Sequence, residues 1–138
     1  MATIQEFLDA QDESWPVALR ELETGQKLTH WIWWIFPQLE ELGRSPRARH
    51  FGLSGAGEAE EYLAHPVLGA RLVTASRTLL KHSDSSAEEI LGPVDALKVR
   101  SCMTLFEAAP GADPVFSQVI STFYGGERCP VTRARLER

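Results

Sequence analysis

Cysteine is scarce in this chain, with only Cys102 and Cys129 among 138 residues, and neither has a close histidine. Two such thiols cannot build a metal cluster or a disulfide-stapled scaffold. Their surroundings predict one core thiol, in the apolar stretch Cys102 to Phe106, and one exposed thiol, in the polar tail before Pro130; a disulfide between them is left open. Long hydrophobic runs are also lacking. The longest, Trp31 to Pro37, is far too short to cross a bilayer. Met1 to Gln11 has neither a basic nor an apolar leader segment, so the expected address is the cytoplasm. Positive charge is in deficit, with 14 Lys and Arg against 19 Asp and Glu for a net charge of -5. That balance argues against general electrostatic binding of nucleic acid, although it leaves room for a small, locally basic pocket. Standard catalytic signatures are absent as well: no glycine-rich phosphate loop precedes a lysine, and there is neither a nucleophile elbow nor a His-Glu-x-x-His motif. His30, His50, His65 and His82 are scattered singly. No metal site and no cofactor is expected.

What remains is an ordinary globular composition, 43% hydrophobic and 24% charged, long enough for one domain over residues 1–138 with its own core. The punctuation is helical throughout. Thr3 caps a first short helix carrying Ile4, Phe7 and Leu8. Ser14 caps a second, with Pro16 in its first turn, Trp15, Leu19 and Leu22 at helical spacing, and Gly25 as its stop. Leu28 to Leu42 is apolar on nearly every side as far as Pro37, which predicts a buried segment, helical in part and ended at the proline. Ser45-Pro46 opens a short basic turn. Glu58 to Ala64 forms a helix broken at His65-Pro66, and Pro66 opens a longer one bearing Val67, Leu68, Leu72, Ala75, Leu79 and Leu80. Ser85 with Glu88, or Ser86 with Glu89, makes a capping box before Ile90 and Leu91. Asp95 caps a helix running to Ala108, and Asp113-Pro114 starts one that ends at Gly125-Gly126. Thr132 caps a short final helix, on which Arg133, Arg135 and Arg138, interleaved with Glu137, form a solvated face. Six or more helices, with no alternation at period two beyond strand-like pieces around Phe51 to Leu53, predict a compact all-α bundle with little or no sheet.

Three segments stand out chemically. In Lys27 to Gln38, three tryptophans cluster beside a cation, an imidazole and a carboxamide. In a helix, Trp31, Trp34 and Gln38 share one face, and His30, Trp34 and Pro37 an adjoining one. A flat aromatic wall of this kind binds a base or nicotinamide by stacking and edge hydrogen bonds; the competing reading makes the tryptophans simply core. In Asp95 to Thr104, the residues Asp95, Lys98 and Cys102 fall on one helical face with Ser101 beside them, either as a local ion pair or as an anion-attracting group. In Leu63 to Leu72, a His65-Pro66 corner and Gly69 point to close helix packing.

The motifs His30-Trp31-x-Trp33-x-Ile35-Phe36-Pro37-Gln38-Leu39, His65-Pro66-Val67-Leu68-Gly69-x-Arg71-Leu72 and Met103-Thr104-Leu105-Phe106, with Gly125-Gly126 to Thr132, resemble the domain-of-unknown-function 1810 family, whose members are sometimes mislabelled calpastatin-like. The likeness covers Phe7 to Leu136 and implies a mostly helical domain with no established reaction. The chain departs from the family pattern at Cys129, usually Asp, at Cys102, often a second Ser, and at Val94, often a second Asp before Asp95. A catalytic site needing a carboxylate at position 129 would be impaired here. More weakly, His65-Pro66-x-Leu68 followed by a leucine-rich helix is similar to the closing part of the NADAR family, which acts on ADP-ribose derivatives.

Together these features point to an uncharacterised cytosolic domain that binds or hydrolyses a nucleotide-derived small molecule of the ADP-ribose type; the alternative is a non-catalytic protein-interaction or regulatory module. In the first reading Asp95 and His30 are the catalytic candidates, with Asp95 as general base or carboxylate stabiliser. Lys27 or Lys98 holds phosphate, Trp31 or Trp34 stacks, and Gln38 and Ser101 supply hydrogen bonds. No membrane and no general nucleic-acid partner is expected.

Overall fold

The computed structural model describes residues 2–137, and among them it has nine α-helices and no strand. The expected Arg138 end of the final helix face lies outside the described residues. The all-α architecture follows from the capping and patterning above, with informative differences in where individual helices begin and end.

The first difference is α1, Ile4–Thr24, a single helix of 21 residues where two were expected. Thr3 opens it with a capping box to Glu6, and Gly25 closes it in the left-handed region at φ 81°. Ser14 does not cap; its hydroxyl donates to the Ala10 carbonyl at 2.8 Å. Pro16 lies inside the helix and deprives the Asp12 carbonyl of its usual donor. Asp12 is exposed, so water serves there instead. The buried face Phe7, Gln11, Ala18 and Leu22 runs on across the proline, and its packing outweighs the one lost hydrogen bond.

The aromatic segment is less helical than its apolar density suggests. Only Ile32–Ile35 forms α2, a single turn, with Phe36 at its end before Pro37. A 3₁₀ turn, Glu40–Leu42, follows. The strand-like expectation near Leu53 is realised as one isolated parallel bridge between Leu39 and Leu53, in which Leu53 donates to Gln38 and Glu40 donates to Leu53.

The remaining elements are α3, Pro46–His50, capped by Ser45; α4, Ala56–Ala64; and α5, Pro66–Leu80. His65 caps α5 through Nδ1, which accepts from the amides of Val67 and Leu68. Gly69 lets α5 meet the end of α4: a Cβ there would lie 2.2 Å from the Leu63 carbonyl oxygen. Next come α6, Ala87–Leu91, whose capping box is Ser86 with Glu89, and α7, Pro93–Glu107. Asp95 does not cap α7. Gly92 occupies that position, and Asp95 stands in the first turn, where a carboxylate still complements the helix dipole. Pro114 holds the N-cap position of α8, Val115–Tyr124, and Asp113 just before it accepts from the Val115 amide. The last helix, α9, Pro130–Leu136, begins after Cys129, so Thr132 is a fully buried interior residue and not the cap.

Helix α7 is the axis of the core. Val99, Cys102, Met103 and Phe106 are buried on it against Phe116, Val119 and Ile120 of α8, Leu72 and Leu79 of α5, and Tyr62 of α4. Both cysteines are free and buried, which corrects the expectation of an exposed Cys129. Its place at the α9–α7 junction, where its amide donates to Thr104 Oγ1 at 3.0 Å, takes it out of solvent.

Candidate ligand-binding cleft

Glu21, near the end of α1, organises the approach to the site. Its Oε1 accepts from the amides of Leu28 and Thr29 and from Trp31 Nε1, while its Oε2 accepts from the Thr29 hydroxyl. Burial works to raise the pKa of this carboxyl, but the donors from Thr29, Leu28 and Trp31 outweigh it and bring the value down to about 2. The anchored turn sends Trp31 inward, where it is 1% exposed. It also leads Lys27 back to the start of α7: the Lys27 amide donates to the Ile90 carbonyl, and its ammonium meets Asp95 Oδ2 at 2.9 Å. The same ammonium lies 5.0 Å from the centre of the Trp31 ring. Asp95 Oδ1 reaches Lys98 at 3.5 Å. Lys27, Asp95 and Lys98 thus form a chain of charge, with Lys98 at its solvent end.

Beyond Lys98 lies a cleft of about 520 Å³ between α7 and the segment from α2 to α3. It is lined by Trp33, Gln38, Leu42, Gly43, Arg44, Ser45 and Ala48 on one side and by Val94, Leu97, Lys98 and Ser101 on the other. This size suits a small-molecule ligand. No carboxylate is among the lining residues. Trp33 is the aromatic element, with the Lys98 ammonium 5.4 Å and the Arg47 guanidinium 5.1 Å from its ring centre. Gln38 is only 9% exposed. Its backbone carbonyl is committed to Leu53, while its side chain makes no hydrogen bond to a described residue. Ser101, on the floor, donates to the Leu97 carbonyl at 3.1 Å.

Of the residues singled out in the sequence, Gln38, Lys98 and Ser101 line the cleft. Lys27 and Asp95 stand behind Lys98 and outside the lining. Trp31 is core. Trp34 is half-buried on the α1 side, with its indole donating to Ser14 Oγ at 2.7 Å and its ring edge-on to Phe51. His30 is exposed, 6.5 Å from Trp33 between ring centres. The helical-face argument fails because the backbone is helical only from Ile32 to Ile35.

Sequence reasoning passed over Trp33, Arg44 and Arg47. The available signal is the basic turn from Arg44 to His50, conspicuous in an acidic chain. Behind the floor, the Ser101 and Thr132 hydroxyls and the amides of Thr132 and Val131 face the Cys129 sulphur. Burial pushes this thiol up, and those groups together bring it below its usual range. Cys102, wholly buried, is pushed well above that range by desolvation.

A second hollow, of about 560 Å³, lies between α5 and the loop at residues 109–113. Leu63 and Gly69 of the helix corner line it, but none of the candidate catalytic or ligand-binding residues does, and of its charged residues, Glu60, Arg77 and Asp113, the last two already pair at 3.0 Å. No group of three or more His, Cys, Asp or Glu among the described residues is placed to hold a metal ion. No helix among them is long and apolar enough to cross a membrane.

Comparison with known proteins places the chain. Residues 1–136 match the family described as Protein of unknown function (DUF1810), and the chain belongs to that family. It is similar to the crystal structure of the conserved hypothetical protein Rv1873 from Mycobacterium tuberculosis, with 40% identity and a TM-score of 0.94 over 97% of this chain and 96% of that one. No curated protein matches it.

Proposed function

We propose that this member of the DUF1810 family binds a small, flat-ringed anion of the nucleotide-derived kind, ADP-ribose-like molecules included, in the cleft between α2–α3 and α7. The observation that carries this reading is Gln38, a largely buried residue that lines the cleft beside Trp33 and whose carboxamide makes no hydrogen bond to a described residue. A ligand edge that offers one donor and one acceptor meets both ends of the amide. Trp33 supplies a stacking face, Arg44, Arg47 and Lys98 supply charge for a phosphate, and Ser101 adds a hydroxyl. The convergence of Gln38, Lys98 and Ser101 in one concavity supports a small-molecule site over an interaction module.

The geometry supports binding more than turnover. Asp95, the candidate base, is engaged by two lysines, and His30 stays in solvent. General acid–base catalysis needs a group within hydrogen-bond reach of the reacting atom.

The reading is tested by thermal shift and calorimetry with AMP, ADP-ribose, NAD and nicotinamide. Phosphate-bearing ligands should raise the melting temperature of the parent and not that of Trp33→Ala or Gln38→Ala. Silence of the parent toward all four at millimolar concentration would sink the proposal.

A further inference from the structure

We propose that Arg47 is a specificity-determining charge filter on this cleft: it covers the Trp33 ring and yields that face to anions but not to neutral rings. The proposal rests on the reading of the cleft as a site for flat-ringed anions. Two cations sit over the same indole, Arg47 at 5.1 Å and Lys98 at 5.4 Å from its centre, so a ligand ring that stacks on a face either one covers must displace that cation.

The two cations are held very differently. Lys98 is tethered to Asp95, which the largely buried Lys27 fixes in turn. Arg47 projects from the exposed side of the short helix α3, and no carboxylate among the described residues pairs with it. Arg47 is therefore the one that moves. A cation over an indole is attracted by the ring quadrupole. A neutral ring entering the cleft exchanges that attraction for stacking of similar strength and gains little. An anionic ligand makes the same exchange and also gives the displaced guanidinium a charge-assisted, bidentate partner. The selectivity lies in that second term, so charge is discriminated by a residue that is not part of the cleft wall.

The filter can be read without any natural ligand. Quenching of Trp33 fluorescence, isolated by subtracting the Trp33→Phe protein, is measured with neutral acrylamide and with iodide. In Arg47→Ala, acrylamide quenching of Trp33 should rise, because the cover is gone, and iodide quenching should fall, because the attracting charge is gone. The binding arm compares AMP with adenosine by calorimetry. Arg47→Ala should weaken AMP about tenfold, as expected for loss of a charge-assisted contact, and leave adenosine unchanged or tighter. If both quenchers shift in the same direction, or if AMP and adenosine lose affinity equally, the filter is overturned. If the quenchers diverge while the parent binds neither nucleotide, the filter stands and the nucleotide reading of the cleft fails.

Discussion

Replacing Glu21 by glutamine isolates the group that holds the turn before the aromatic segment. The carboxylate accepts four hydrogen bonds, from Leu28 N, Thr29 N, Thr29 Oγ1 and Trp31 Nε1, at 2.7 to 3.0 Å. Glutamine can keep the three on Oε1 and turn its amide to the Thr29 oxygen, so the loss is that of charge and not of shape. Hydrogen bonds to charged groups are worth roughly 1 kcal/mol more than neutral ones, which over this set gives about 3 kcal/mol. Linkage gives a second route. The carboxyl titrates from the ordinary 4.5 down to about 2 on folding, a difference worth about 3 kcal/mol. Because the folded value is depressed, this stability is fully present above about pH 4.5 and is lost as the pH falls through about 2. Glu21→Gln should therefore be about 3 kcal/mol less stable at pH 7, a fall in melting temperature of about 10 °C for a chain of this length. The gap should close progressively between pH 4.5 and pH 2. Urea titrations followed by tryptophan fluorescence and circular dichroism at pH 7, 4 and 3 measure it. Other lowered carboxyls, such as Glu6 and Glu107, titrate in both proteins and cancel in the difference. A gap that stays constant across this range, or one below about 1 kcal/mol at pH 7, would refute the account.

Trp31→Ala and Trp33→Ala should separate core from cleft. The first removes a fully buried ring and orphans part of Glu21, costing about 3–5 kcal/mol; the second should cost under about 1.5 kcal/mol while abolishing ligand-induced stabilisation, and equal melting temperatures for the two would contradict the assignment. Asp95→Asn leaves Lys27, whose side chain is 7% exposed, without its counter-charge and should destabilise by about 3 kcal/mol in chemical denaturation. Lys98→Ala, which leaves the buried Lys27–Asp95 pair intact, should change stability by less than about 1 kcal/mol. Cys129→Asp should raise the melting temperature by about 3 °C, since an N-cap carboxylate accepts from α9 amides and meets the buried Thr132 hydroxyl more strongly than a thiol does; an unchanged or lower value would show that burial of the charge outweighs the cap.

The helices with local punctuation were legible in the sequence. Ser86 with Glu89, His65-Pro66, Asp113-Pro114 and Gly125 each act through groups within a few residues of themselves, and the structure uses all four as boundaries. The misreadings have distant causes. Ser14-x-Pro16 reads as a helix start, but α1 continues through it because its buried face packs on α5, some 50 residues away in sequence. The aromatic segment reads as a helix of several turns because its apolar density is high on every side. Glu21 and Pro37 cut it to one turn, and no periodicity within the segment reveals a carboxylate on the preceding helix. Once the helix is lost, so is the face assignment, and Trp33 replaces Trp31 and Trp34 at the cleft. Lys98 and Ser101 were legible because their helical register with Asp95 is that of α7, whereas Gln38 was named on a helical face that does not form. Arg44 and Arg47 were not, because a basic turn in isolation is indistinguishable from a solvated one.

The charge distribution shows how an acidic chain can carry a locally basic cleft. The excess of acidic residues repels polyanions at distances comparable to the Debye length, about 8–10 Å at ordinary ionic strength. The cleft is locally different. Its lining holds Arg44 and Lys98 and no carboxylate, Arg47 stands over its aromatic ring, and Asp95, the nearest acid on α7, is held on its far side by Lys27. Lys27 is therefore as important to the site as the residues that line it. Without its ammonium, Asp95 would draw Lys98 to itself as a sole partner and cancel the charge that faces the ligand. The buried pair turns a potential neutralising contact into a support for the exposed lysine.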